Sequence, residues 1–482
     1  MHTHDLQRPC FPIRIACLLW IGLLSPLPGV SQIMFEREYG TTSDDAGKCV
    51  RQTPDAGYVF CGYTRGSGPA DYNGYILRTD PWGDTLWTMV LGGPGYDAVY
   101  SLALTSDNGY LVCGTYFHPG SHSDCWLIRL NDGGDTLWTK SDYSSTNATV
   151  FAVQPVNGGD FILTGTRETA GGSGHMYLMK TNGSGDSLWT RTYAYWDSSG
   201  GNAVITTADD GYLICGYIDQ NIPMWNRNLG LVKVNSQGDT LWTRQFGSGA
   251  YEMGWSVCEA PAGGFLAAGY TTGFGATTGD IYMVKITLGG DMEWQTHFGN
   301  TGLDIAFDVA GTTDDEYILT GITAEEGSEI QEALLTKLDQ NGDTLWWKTC
   351  GGIRKSFGNS VRQTSDDGYI LCGSTEADGT GIYDVYLVKT NPDGSLTAME
   401  EMQTGSPGLQ LFPNPSSGKF AIRLPAGSIM FSINDGCGNA IRSEAVLSRE
   451  VIPADLTCFS RGIYVVRVTT DQSVLSGKLI LQ

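Results

Sequence analysis

A five-residue string, Gly-Asp-Thr-Leu-Trp, recurs along this chain at near-constant spacing, and that periodicity limits what the chain can become. It ends at Trp87, Trp138, Trp242 and Trp346, with close variants ending at Trp189 and Trp294. Successive copies lie 51, 51, 53, 52 and 52 residues apart. A fixed period over six copies means one supersecondary unit used repeatedly, each burying its apolar faces against the next.

The second unit shows what is repeated. Residues 97–105 form a first apolar-alternating run, closed by Ser106-Asp107-Asn108-Gly109. Tyr110–Thr115 and Asp124–Asn131 follow, and Asp132-Gly133-Gly134 turns the chain into Asp135–Lys140. Alternation between Gly/Asp/Asn turns marks antiparallel strands, and four such strands per period mark a propeller blade. The crowded position of the second strand recurs as Cys61, Cys113, Thr164, Cys215, Ala268, Thr320 and Cys372, which predicts seven blades. Cys exchanging with Thr and Ala there points to packing, not redox chemistry.

The seventh unit has no Trp strand, because Gly394-Ser395-Leu396 runs on into Thr397-Ala398. Met34-Phe35-Glu36-Arg37-Glu38-Tyr39-Gly40 stands alone near the other end and matches Leu241–Gly247, with Phe35 52 residues before Trp87. Residues 33–40 are therefore expected to supply the missing outer strand and latch the ring shut, removing an open edge. The expected fold class is all-β: a seven-bladed β-propeller over 32–397, a linker over 398–408 and a small β-sandwich over 409–482. The strand order and the DxxGxxLW hairpin resemble quinoprotein-like propellers across 33–397, a likeness that implies fold and not activity.

Residues 1–31 read as a signal peptide: Arg8 and Arg14, then the apolar run Ile15–Leu24, then Pro26, Pro28 and Gly29-Val30-Ser31. Ten apolar residues are too few to span a bilayer, and no longer run exists, so no transmembrane segment is expected. The net charge of −23 argues against nucleic acid and anionic lipid as partners. After Cys10 and Cys17 leave with the signal, ten Cys remain with no CxxC pair, so no metal knuckle is indicated.

The last segment carries Pro413-Asn414-Pro415-Ser416-Ser417-Gly418-Lys419-Phe420, then Gly462-Ile463-Tyr464-Val465-Val466-Arg467-Val468 and Lys478-Leu479-Ile480-Leu481. This resembles the C-terminal sorting domain of type IX (Por) secretion substrates. The resemblance implies a β-sandwich, with Pro413, Asn414, Pro415, Gly418, Gly462, Tyr464 and Lys478 as its motif. It also implies the type IX secretion machinery as partner. The location would be the medium or the outer-membrane surface of a Gram-negative bacterium, reached through the periplasm. Cys437 and Cys458 could pair within this segment.

Function is expected where the repeats differ. Turns after the first and third strands are short and alike, whereas the loops between second and third strands vary. These loops share a face with the blade-to-blade connections, whose aromatics, with loop residue Trp225, give candidate ligand-binding residues Tyr96, Tyr143, Tyr195, Trp196, Trp225 and Tyr251. Asp45, Asp97, Glu252 and Asp304 begin equivalent first strands and could hold Ca2+ or bond turn N–H groups. His118, His122 and Cys125 are zinc-type ligands lacking an evident fourth. No GxSxG elbow, HExxH, P-loop or adjacent Cys pair is present, and no cofactor is indicated. The leading expectation is an exported, monomeric, non-enzymatic binding or scaffold protein for a glycan, protein or surface polymer. The alternative is an extracellular carbohydrate-active or quinone-dependent enzyme.

Overall fold

A computed structural model of the chain describes residues 33–396, apart from 66–71, 119–121, 142–145, 220–226, 277, 329, 353 and 378–380. It also describes 410–412, 419–424, 428–434, 440–445, 451–457, 459, 462–470 and 474–481. The expected signal segment, linker and Cys437–Cys458 pair lie outside these residues. The chain divides into two compact units, Met1–Ala398 and Met399–Gln482.

In the first unit the described residues form seven four-stranded antiparallel sheets, six of them in simple meander order. Blade one runs from an inner strand, Asp45–Gln52, through Tyr58–Arg65 and Tyr72–Thr79 to an outer strand, Thr85–Leu91. The middle strands are apolar nearly throughout because neighbouring blades cover both their faces; Tyr110–Thr115 in blade two is buried at every residue. Outer strands are more open, and in Thr85–Leu91 exposed residues interrupt the half-buried ones.

The expected latch is present. Phe35–Tyr39 pairs antiparallel with Tyr383–Thr390 and completes the sheet of Ser356–Gln363 and Tyr369–Glu376. Phe35 stands opposite Lys389 just as Trp87 stands opposite Arg78 and Trp346 opposite Lys337.

The recurring Trp is an inter-blade contact. Trp87, Trp138, Trp189, Trp242, Trp294 and Trp346 each lie on a turn glycine of the next blade, at Gly134, Gly185, Gly238, Gly290, Gly342 and Gly394. A Cβ on any of these glycines would fall 2.4–3.0 Å from the indole. Their φ angles of +77° to +89° are also ones that glycine adopts without strain. A large flat ring against a bare backbone buries much apolar area at little entropic cost.

The same repeat holds a buried cation. Arg78, Arg129, Lys233, Lys285, Lys337 and Lys389 are nearly inaccessible, each paired to an acid: Asp55, Asp107, Asp209, Glu293, Asp314 with Glu316, and Asp366. In five of the six the acid sits in the first turn of its blade, so that turn is pinned to the third strand.

The second unit is a sandwich. One sheet joins Gln410–Phe412, Lys419–Arg423 and Val451–Asp455; the other joins Ala440–Ala445, Ser428–Asn434, Gly462–Thr470 and Val474–Leu481. Phe420 and Ile422 from the first share one core with Phe431, Ile433, Tyr464, Val466 and Val468 from the second.

Candidate functional site

Every inner strand contains a β-bulge at the same place. Pairing with the second strand skips one residue between Gly47 and Cys49, and likewise in the other six blades. The skipped residues are Lys48, Tyr100, Phe151, Asn202, Trp255, Phe307 and Asn359, and all seven line one central cavity. A bulge residue has no ladder partner and is re-aimed out of the pleat. Seven bulges thus build a ring of seven side chains around the axis.

The bulge also explains an invariant glycine. It drives the inner-strand carbonyl against the second strand, so a Cβ on Gly62 would lie 1.7 Å from the Ala46 oxygen and one on Gly373 1.7 Å from that of Phe357. The Gly after Cys, Thr or Ala in each blade is thus the condition for the bulge.

The cavity, about 620 Å³, also reaches Asp44, Asp45, Tyr63, Tyr72, Phe357, Ser374 and Tyr383. These lie where inner and third strands begin and second strands end, so the cavity opens on the loop-variable face. Rings from adjacent strands and blades meet on its wall: Tyr100 with Phe151 at 5.2 Å, Trp255 with Phe307 at 5.8 Å and Tyr63 with Tyr72 at 5.4 Å between centroids. Asn202 and Asn359 each donate an amide N–H to a neighbouring bulge carbonyl, Gly254 at 2.7 Å and Gly47 at 2.8 Å. Their side chains are fixed by those bonds.

Lys48 is the cation of the ring. Its ammonium lies 5.6 Å from the Tyr63 ring centroid, and burial holds its pKa below the usual value. The wall carboxylates are already engaged. Asp44 pairs with Arg65 at 3.3 Å and accepts the Tyr383 N–H at 3.2 Å; Asp45 accepts the Thr41 N–H at 2.5 Å.

The other acids expected at strand starts behave as Asp45 does. Asp97 accepts N–H groups of Gly93 and Phe117 at 2.6 and 2.7 Å, Glu252 the Ser248 and Thr271 hydroxyls at 2.6 and 2.9 Å, and Asp304 the Asn300 N–H at 2.7 Å. All four are fully buried, and each clips the residue four positions earlier. They stand in four separate blades and are not brought to a common centre. No group of three or more metal-type side chains assembles among the described residues. His118 and His122 instead both turn to buried Asp124, at 2.8 and 3.0 Å.

Tyr143 and Trp225 lie outside the described residues. The other expected aromatics do not line the cavity. Tyr96 packs on Tyr72 at 5.0 Å, and Tyr195, exposed, meets Trp196, which is partly buried against the blade-three and blade-four core. Tyr251 accepts a 2.7 Å hydrogen bond from Arg227. Sequence reasoning missed the bulge ring. Its signal was there: one position of the inner strand reads Lys, Tyr, Phe, Asn, Trp, Phe, Asn while its neighbours repeat.

Residues 410–482 match the family described as the secretion system C-terminal sorting domain. This segment is a type IX sorting domain. Its presence indicates export to the cell surface or medium. Of the sorting motif, Pro413, Asn414, Pro415 and Gly418 lie outside the described residues. Gly462 opens the strand in which Tyr464 is buried, and Lys478 stands opposite Val465 in the last strand. No curated protein matches the chain. Among solved structures, it is similar to the β-propeller domain of the Trilobed protease from Pyrococcus furiosus, at 9% identity and TM-score 0.44 over 76% of this chain and 99% of that one. A glucose dehydrogenase aligns at 12% identity and TM-score 0.38 over 61% and 96% of the two chains. The polysaccharide lyase Uly1 aligns at 10% and 0.47 over 74% and 92%. At these identities the likeness is one of fold.

Proposed function

We propose that this is an exported, non-enzymatic binding protein that takes a saccharide into the channel mouth on its loop-variable face. The bulge ring is the observation that carries this reading. Tyr100, Phe151, Trp255 and Phe307 offer aromatic faces, with Asn202 and Asn359 between them, on a single cavity of about 620 Å³. Apolar walls with a few fixed polar groups are the usual make-up of a small-ligand site, and aromatic faces pack well on sugar C–H faces.

Two facts favour binding over glycoside chemistry. Hydrolysis by paired carboxylates needs two acids facing each other across a bond, roughly 5–10 Å apart. The wall acids Asp44 and Asp45 are consecutive residues, the first held by Arg65 and Tyr383 and the second by Thr41. The test is a glycan array probed with the full chain and with Trp255→Ala. Binding of at least one glycan, lost in the variant, supports the reading; a glycan bound equally by both removes it.

A further inference from the structure

The lower half of the channel holds charge that saccharide binding does not use. Three residues past the bulge, five blades carry uncharged side chains. Blades seven and one, neighbours across the latch, carry Arg362 and Arg51. Both border a second cavity of about 290 Å³, on the face of the short turns.

Each guanidinium is tethered through one nitrogen. Arg51 Nη1 donates to the Val50 carbonyl at 2.8 Å and to Cys49 Sγ at 3.1 Å. Arg362 Nη1 donates to Asp308 Oδ2 at 2.5 Å and to the Val361 carbonyl. The Nε–Nη2 edge of each has no partner among the described residues. That edge is the one that grips an oxyanion through two parallel hydrogen bonds.

The local charge is positive in a chain of net charge −23: Lys48, Arg51 and Arg362 face only Asp308 and Glu259 on this cavity. Asp308 is fully engaged, accepting also from Ser256 Oγ at 2.8 Å, Ser360 Oγ at 3.1 Å and Val361 N at 3.1 Å. Glu259 is exposed at the end of its strand. A hydrogen bond with Cys61, then the charges of Arg51 and Arg362, pull the Cys49 thiol below its usual range despite burial.

The geometry points to a second ligand site, in which Arg51 and Arg362 together bind an oxyanion of the sulfate or carboxylate class entering from the short-turn face. The site shares the bulge ring with the saccharide cavity as a common wall and differs from it in the guanidinium groups beyond that ring and in the face from which it is reached.

The test is thermal unfolding of the full chain in sodium sulfate against sodium chloride at matched ionic strength. The wild type is expected to show a saturable rise in Tm with sulfate. Arg51→Met leaves the Arg362–Asp308 pair in place and should weaken that response roughly tenfold or more, the scale of a lost charge-assisted hydrogen bond. If the Met variant does not fold, Arg51→Gln, which retains an amide donor, takes its place with the same expectation. A wild-type response no greater than in chloride, or an undiminished response in the folded variant, overturns the proposal.

Discussion

Phe35 lies on Gly83 as each blade's tryptophan lies on the glycine of its neighbour: a Cβ at Gly83 would meet Phe35 Cε2 at 3.0 Å. Phe35 belongs by pairing to the seventh blade and Gly83 to the first, so these two blades make the same contact that the other adjacent blades make. Closing the ring is thus chemically the seventh repeat of one interaction. Phe35 also meets Tyr58 edge to face at 5.7 Å, close to the 5.8 Å at which Trp346 meets Tyr369 in a tilted pair.

Phe35→Ala should therefore destabilise the propeller by about 3 kcal/mol, the usual cost of emptying a buried phenylalanine site. Urea unfolding measures it. Phe35→Trp, which restores the residue used elsewhere, is expected to be tolerated.

The buried cations give an acid-side prediction. Burial raises the Asp209 pKa, but Lys233, Thr207 and the Gly211 N–H outweigh it and bring the carboxyl down to about 2. A depressed acid stabilises the fold above its unfolded value of 3.8 and loses that contribution as pH falls through about 2. Asp209→Asn should lower Tm at pH 7, because Lys233 stays buried without its counter-charge. It should also flatten the Tm profile between about pH 4 and 2, as read by thermal scans across that range.

Asp304 has the opposite sign. Burial raises its carboxyl to about 6 against the opposing bonds from Thr323 and Asn300. A raised acid favours the fold below 3.8, and that contribution fades as pH climbs through about 6. Asp304→Asn can still accept the Asn300 N–H, so it should remove this slope and leave Tm at pH 7 equal to or above the wild type.

The blades, their number and the latch were legible because each rests on spacing, alternation and turn chemistry, which are local. The Trp contact could be expected for the same reason. The bulge was not, since one extra residue in an alternating strand, as Lys48 is between Gly47 and Cys49, leaves the average pattern intact. The expected aromatics and the bulge ring proposed here are different residues of the same propeller. Tyr96 and Tyr195 stand out in sequence because they lie in irregular connections. Tyr100 and Trp255 are hidden inside strands, and only the axial geometry of seven blades brings them together.

A chain ending at Gly408 should fold its propeller yet remain inside the outer membrane, since residues 410–482 are the sorting domain. Immunoblots of medium, surface and periplasmic fractions would show it. Normal appearance of the truncated chain outside the cell contradicts the assignment.

The central claim, that the bulge ring is the ligand site, is tested most directly by calorimetric titration of an array-selected glycan into wild type and Trp255→Ala. Trp255 is a half-buried bulge residue with no ladder partner, so its loss should leave unfolding nearly unchanged. Binding should weaken by roughly 2 kcal/mol, about thirtyfold, the scale of an aromatic hot spot. Affinity within about twofold of wild type in the folded variant, a difference of roughly 0.4 kcal/mol, would contradict it.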